Sequence, residues 1–345
     1  MRIALDAMGS DHAPAVDVRG GVRAARRFGH EIILVGRETE IREVLAAEDV
    51  SGLALSVVNA SEVVEMGEHP AQAVRAKKDA SIVVAMGLLR DGHADAVVSA
   101  GNSGGVLAAS LASAGRIGRI AGVQRPAIST VMPAIDGPVF MLDIGANTDC
   151  KPEWLMQFAI MGSAYAQYIM GIPQPRIALL SNGEEKIKGS TLVQETYALL
   201  ERNCPDLNIV GNAEGKDILR GIADVIVTDG FTGNVALKTA EGTASILLRV
   251  LSQEIKSRPV AVLGALLAKP AFNAVRKRLD FREYGGGALL GVNGVVVIAH
   301  GRSDELAIEN AVGVAIAARE GEIVRVIEQR VATMTESASQ ESNAV

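Results

Sequence analysis

Short apolar runs alternate with longer stretches of helical periodicity along almost the whole chain of 345 residues. The runs fall at 2–6, 31–35, 53–58, 94–99, 127–131, 139–143, 176–180, 208–210, 223–228 and 295–299, and they predict strands. Several are apolar throughout, such as Ile32-Ile33-Leu34-Val35 and Val295-Val296-Val297-Ile298. A strand with one wet face alternates apolar and polar positions, whereas a strand covered on both faces has no reason to. The sheet is therefore predicted to be largely parallel, with helices on each side. Segments 17–27, 71–89, 152–170, 190–202, 234–256 and 304–330 predict those helices. Pro152 suits a first helical turn, where its missing N–H would have no helical partner. With no linker rich enough to divide the chain, residues 1–335 read as one elaborated doubly wound α/β unit. The small, polar residues of 336–345 read as a frayed tail.

Composition excludes several classes of function. Hydrophobic residues make up 48% of the chain and charged residues 21%, enough for a sizeable core. A net charge of −6 argues against a general nucleic-acid binder, and 3% aromatic residues argue against a base-stacking surface. The two cysteines, Cys150 and Cys204, make no disulfide framework or thiolate metal site, which fits a reducing cytoplasm. The opening Met1-Arg2-Ile3-Ala4-Leu5 reads as a strand rather than a signal peptide. No uncharged apolar run approaches the roughly 20 residues needed to span a bilayer. The chain reads as soluble.

Gly, Asn, Ser and acidic residues collect where strands end: 6–11, 99–105, 143–147, 181–185, 228–234 and 300–301. In a parallel sheet such loops gather at the carboxyl edge, where ligands bind. Two of them echo each other. Residues 94–106 align without gaps on 223–235 with six of thirteen positions identical, pairing Gly101 with Gly230, Gly104 with Gly233, Ser99 with Thr228 and Ser103 with Thr232. Glycine there lets backbone N–H groups turn toward an anion, the hydroxyl adds a donor, and the following helix presents its positive end. Both loops are thus candidate anion sites, one of them for phosphate. A competing reading takes Gly101-Asn102-Ser103-Gly104-Gly105 as a nucleophile elbow with Asp229 and His300 downstream, although no Gly-rich oxyanion motif precedes it. Neither a Walker A motif nor a dinucleotide fingerprint is present. The five histidines show no metal-ligand spacing; His12 and His300, in strand-end loops, are candidate proton carriers.

Six motifs together carry a resemblance. Leu-Asp-Ala-Met-Gly-Ser-Asp-His-Ala-Pro (5–14), Ser-Ala-Gly-Asn-Ser-Gly (99–104), Leu-Asp-Ile-Gly-Ala-Asn (142–147), Gly-Glu-Glu-Lys-Ile-Lys-Gly (183–189), Asp-Gly-Phe-Thr-Gly-Asn (229–234) and Gly-Gly-Ala-Leu-Leu-Gly-Val (286–292) resemble, in order, the bacterial phosphate acyltransferases. Ser10 stands where that family more usually has Gly, and Ser181-Asn182 departs from its commoner Asn-Ile. The resemblance implies a Rossmann-like α/β/α sandwich related to phosphotransacetylases and a homodimer. It also implies a reaction in which fatty acyl-carrier protein and inorganic phosphate give acyl phosphate and free carrier, with no cofactor or metal.

Phosphate is already an anionic nucleophile, so the enzyme needs chiefly to position it and to stabilise the oxyanion of the tetrahedral intermediate. Lys186, Lys188 and Lys238 are candidates for charge compensation, and Asn102, Asn147 and Asn234 for amide donors. Asp143 and Asp229 are expected to orient those donors, because a carboxylate touching phosphate would repel it. Asp229, Asn234, Lys188, Lys238 and Asn147 form the predicted catalytic set. Gly9, Ser99, Gly101, Asn102, Ser103, Gly104, Asp143, Glu184, Lys186, Gly230, Thr232, Gly233 and His300 form the predicted phosphate and substrate shell.

Segment 259–272, apolar and flanked by basic residues, lies in a predicted helical hairpin within 240–282. Leu263, Leu266 and Leu267 suit a lipid headgroup region, with Arg276, Lys277 and Arg278 facing anionic lipid or an acidic carrier protein. A core hairpin and a dimer interface are the competing readings. Arg116, Arg119 and Arg125 offer another carrier-docking patch. A membrane-facing tip would suit a product consumed by a membrane acyltransferase and places the protein at the inner face of the cell membrane. Two further functions stay open: a phosphotransacetylase-like enzyme using acyl-coenzyme A, and a non-catalytic membrane-associated scaffold of lipid synthesis.

Overall fold

The computed structural model describes residues 1–278 and 281–342, apart from the side chains of 276, 277, 281, 283 and 335–342. All ten predicted strands form: β1 (Arg2–Asp6), β2 (Glu31–Gly36), β3 (Leu55–Asn59), β4 (Ala96–Ser99), β5 (Ala127–Met132), β6 (Val139–Leu142), β7 (Ile177–Leu180), β8 (Ile209–Ala213), β9 (Val225–Val227) and, near the end, β11 (Val295–Ile298). The strand missed from sequence is β10 (Gly287–Leu290), whose glycine and alanine start carries none of the β-branched signal of its neighbours. They form one sheet in the order β3-β2-β1-β4-β11-β10-β5-β6-β9-β7-β8.

The sheet is mostly parallel, yet it has no single carboxyl edge. The strands β3, β2, β1, β4 and β11 run one way, and β6, β9, β7 and β8 run together as a second block. Between them β10 is antiparallel to β11 and β5, and β5 is antiparallel to β6. Three reversals leave the blocks pointing in opposite directions. Register decides where their ends meet. Ser99, ending β4, pairs with Ile298, and Ile298 with Gly287; further along β10, Leu289 pairs with Ile128, and the next residue of β5, Ser129, pairs with Leu142, ending β6. The blocks are staggered, so their carboxyl ends converge on the central β10–β5 ribbon from opposite sides.

One face of the sheet is covered continuously by α1 (Ala15–Phe28), α2 (Glu38–Leu45), α6 (Pro152–Tyr168), α7 (Thr191–Asn203), α12 (Glu305–Glu320) and α13 (Ile323–Ser342), which share one apolar cluster with both blocks. On the other face the cover is in two parts. The helices α3 (Pro70–Ala76), α4 (Ser81–Arg90) and α5 (Ser103–Ala112) pack on the first block, while α8 (Gly215–Ile218) and the start of α9 (Gly230–Lys256) pack on the second. The gap between these two clusters lies over the central ribbon.

Two predicted helices prove to be pairs. Segment 71–89 breaks between α3 and α4, where Lys77 Nζ donates to the Val63 carbonyl and Asp79 accepts from Ser61 N–H and Oγ. Segment 304–330 breaks at Gly321 and Glu322, the latter at φ 49°. Helix α13 continues to Ser342, past the start of the expected tail, and 343–345 lie outside the described residues.

The hairpin projects as expected. Among its described side chains, α9 buries only Gly230 and Gly233, and α10 (Pro259–Leu267) buries none; α11 (Lys269–Arg278) returns the chain to the sheet. Leu267 is 87% exposed, which removes the core-hairpin reading.

Gly287 is what lets β10 lie this close to β5: a Cβ there would sit 1.6 Å from the Ser129 carbonyl oxygen. Gly287→Ala is expected to lower stability by about 1–3 kcal/mol through overpacking, read as a lower denaturation midpoint in urea.

Candidate active site

The gap over the central ribbon is a cavity of about 530 Å³. The first block contributes the Gly101–Gly104 turn after β4, with His300 and Gly301 after β11. The second contributes Ile144 and Gly145 after β6 and the α9 face bearing Asn234, Lys238 and Glu241. Its floor is β5 and β10.

On the first side, buried carboxylates shape the turn. Ser99 Oγ donates to Asp6 at 2.7 Å and accepts the Gly101 N–H at 3.1 Å, while Asp6 also accepts Met8 N–H. Gly9 presses against this turn; a Cβ on it would lie 2.7 Å from Gly101 N. Asn102 then caps α5, accepting Gly105 N–H at 3.1 Å and donating Nδ2 to the Met66 carbonyl at 3.1 Å. Behind the turn, Ser10 Oγ donates to Asp17 at 2.6 Å. Burial raises the Asp6 pKa against the hydrogen bonds it receives, and it pushes Asp17 up to about 7, with Asp6 adding to the rise. Neither Asp6, Ser10 nor Asp17 was among the predicted site residues. Asp6 and Ser10 did stand inside a quoted motif, but nothing local said they would be buried.

On the second side Asp143 organises the loop. Its buried carboxylate accepts the N–H groups of Ile128, Gly145, Ala146 and Asn147, and Asn147 Nδ2 as well, at 2.8–3.1 Å. Burial raises its pKa, and the hydrogen bonds from Ala146, Asn147 and Gly145 oppose the rise. Helix α9 is set directly on this loop: Gly230 N–H donates to the Asn147 carbonyl, Asn234 Nδ2 to the Ile144 carbonyl, and a Cβ on Gly233 would lie 1.9 Å from the Asp143 carbonyl oxygen. Asp229 caps α9 by accepting Thr232 N–H at 2.8 Å and Thr232 Oγ1 at 2.7 Å.

The sequence echo is therefore real in topology but unequal in detail. Helix α9 starts at Gly230, whereas α5 starts at Ser103, two residues beyond the aligned Gly101. Gly233 serves close helix–loop packing, and an acidic side chain already fills the N-terminus of α9. The neutral Asn102 leaves the N-terminus of α5 without negative charge, facing the cavity.

Lys238 Nζ lies 3.1 Å from Glu241 and 3.2 Å from His300 Nε2, and Arg302 N–H donates to His300 Nδ1. Burial, then Lys238 and Arg302, lower the His300 pKa. With Asp229 engaged by Thr232 and His300 set against Lys238, the residues of the nucleophile-elbow reading do not form its relay. The three asparagine amides donate to main-chain carbonyls or Asp143, so their observed role is to hold the loops.

Three predicted site residues stand elsewhere. Lys186 pairs with Glu201 at 2.6 Å and lies over the Tyr197 ring, Glu184 faces Lys216 at 3.3 Å, and the Lys188 stem packs on Gly183. None of them lines the cavity, because β7, which leads into their loop, lies beyond β9 from the central ribbon. Arg278 donates to the carbonyls of Ala134 and Ile135. The side chains of Arg276 and Lys277 lie outside the described residues.

This architecture has a solved counterpart in a phosphotransacetylase from Streptococcus pyogenes, which covers 93% of this chain and 94% of its own at TM-score 0.63 and 19% identity. At that identity the likeness is one of fold. Sequence goes further. Residues 1–325 match the family described as fatty acid synthesis protein. A phosphate acyltransferase of Dictyoglomus turgidum is 51% identical over 316 residues, 91% of this chain and 93% of that protein. One of Herpetosiphon aurantiacus is 48% identical, covering 97% of this chain and 98% of its own. The chain belongs to the bacterial phosphate acyltransferase family.

The buried acid of the first side has a thermodynamic consequence. Asp17 keeps a proton in the folded chain up to about pH 7 that the unfolded chain releases near 3.8, so its contribution to stability is present at low pH and lost as pH rises through about 7. Asp17→Asn is expected to flatten the fall of the thermal midpoint across that window, measured by circular dichroism.

Proposed function

We propose that the cavity transfers a fatty acyl group from the thioester of an acyl-carrier protein to inorganic phosphate. An oxygen of hydrogen phosphate bonds to the carbonyl carbon, the tetrahedral oxyanion collapses and the carbon–sulfur bond breaks; the proton that the phosphate carried passes to the departing thiolate, giving acyl phosphate dianion and the free carrier thiol. The observation that carries this reading is the convergence of the α5 N-terminus and Lys238 on one cavity. Phosphate sits at the α5 end, where aligned N–H dipoles and a neutral cap favour an anion. Lys238 offsets charge on phosphate or oxyanion from the opposite wall. Asp143 and Asp229 act through the loop and helix they hold. No base is required, since the nucleophile arrives ionised.

The apolar tip at Leu263, Leu266 and Leu267 supports contact with anionic membrane, where a membrane acyltransferase would consume the product. Exposed Ile246, Leu247, Val250 and Leu251 along α9 support a homodimer that pairs the shafts of two copies and leaves the tip to lipid. The protein then works in the cytoplasm at the inner face of the membrane. Among the described residues no helix is long and apolar enough to cross it.

Mixing pure protein, acyl-carrier thioester and phosphate is expected to release thiol only when phosphate is present. Release from acyl-coenzyme A in preference to the carrier would favour the phosphotransacetylase-like alternative, and no release from either would leave a scaffold. Asn102→Asp retains a helix cap but places a negative charge at the α5 end; KM for phosphate is expected to rise by about tenfold or more. Leu266→Glu is expected to reduce flotation with anionic vesicles while thermal stability holds; undiminished flotation would put the tip against protein instead.

A further inference from the structure

A second cavity, of about 590 Å³, adjoins the first, and both are lined by Thr130, Val131, Leu237, Lys238 and Glu241. Beyond those shared residues its walls turn aliphatic: Met132 and Pro133 at the end of β5, Leu219 after α8, and Ala240, Ala244 and Leu248 on α9. The spacing 237, 240, 244, 248 keeps one face of a helix toward the groove, over roughly 16 Å of axis. Its charged side chains are paired. Glu241 joins Lys238 at 3.1 Å and Arg302 at 3.9 Å, while Arg282 pairs with Asp304 at 2.7 Å.

We propose that this groove holds the hydrocarbon tail of the acyl group, with the thioester carbonyl at the Lys238 end and the tail running along α9 toward Leu248. The inference rests on the acyl-transfer reading and names the site that reads the acyl chain. A carbonyl held against phosphate in the first cavity needs an apolar exit for its tail. The second cavity supplies one, since it opens from the shared residues and continues onto Met132, Pro133, Leu219 and Ala240. The volume is within the roughly 300–1,000 Å³ of small-molecule sites. Ala240 and Ala244 are short side chains midway along the α9 wall, so they set how much chain the groove admits. Its far end lies at Leu248, on the α9 shaft of the hairpin.

The test compares kcat/KM for hexadecanoyl and butanoyl carrier protein in wild type and Ala244→Phe. Filling the groove is expected to lower the hexadecanoyl-to-butanoyl ratio by about tenfold or more. An unchanged ratio, whatever the absolute rates, overturns the proposal. A second measurement on the wild-type protein guards against a misfolded variant. Carrier protein loaded with a hexadecanoyl chain bearing a terminal diazirine is photolysed and the labelled peptides are mapped. Labels on 240–248 or 132–133 support the groove, and labels confined to the α10 tip or any other surface overturn it. If wild type releases no thiol from either carrier, the acyl-transfer reading fails, and the position of the photolabel still decides whether the groove takes a chain.

Discussion

A single buried carboxylate joins the halves of this protein. Asp143 leaves β6 at the point where the two oppositely directed blocks meet, and it accepts N–H groups from β5 and from three residues of its own loop. Five donors and no acceptor favour the ionised carboxylate, against the burial that raises its pKa. That loop in turn seats the first turn of α9 through Gly230, Gly233 and Asn234. The wall of the cavity that carries Lys238 is therefore hung from Asp143, although no atom of Asp143 needs to face a ligand. Removing the carboxylate would strand one buried and three part-buried N–H groups at once, a heavier penalty than the loss of one bond.

The first block reaches a comparable end by other means. Asp6 acts through Ser99 on the Gly101 turn, and Asp17 lies behind it with Ser10 as its donor. Both sides thus use buried acids to shape main chain, with the acids kept out of the space where an anion would sit. The difference that matters for chemistry is at the helix ends. Asp229 closes the N-terminus of α9 with negative charge, and Asn102 closes that of α5 without it. Of two loops that look alike in sequence, only one leads into a helix whose cap carries no negative charge.

Much of the architecture was legible because burial on both faces writes itself into composition. A strand such as Ile32–Val35 has no polar position to lose, and all ten predicted apolar-rich runs became strands. The loop motifs were equally legible as a group, since Gly, Asn and Asp at strand ends have few other uses. What failed was assignment within the group. Lys186 and Lys188 sit in a motif as distinctive as any, yet β7 carries them away from the central ribbon. Asp6 and Asp17 looked like ordinary acids of a strand end and a helix, because burial at a junction of distant segments leaves no local mark. The β10 strand hid behind Gly287, whose purpose, close approach to β5, appears only when β5 is beside it.

By itself, then, the sequence determined the sheet, its helical cover, the projecting apolar hairpin and a set of strand-end loops rich in hydrogen-bond donors. These follow from period and composition, which are local properties of a chain. The tertiary structure alone decided that the sheet reverses in the middle, that two carboxyl edges face one cavity, and that only some of the polar loops reach it. Those outcomes depend on strand order and register, which are set by contacts between residues far apart along the chain.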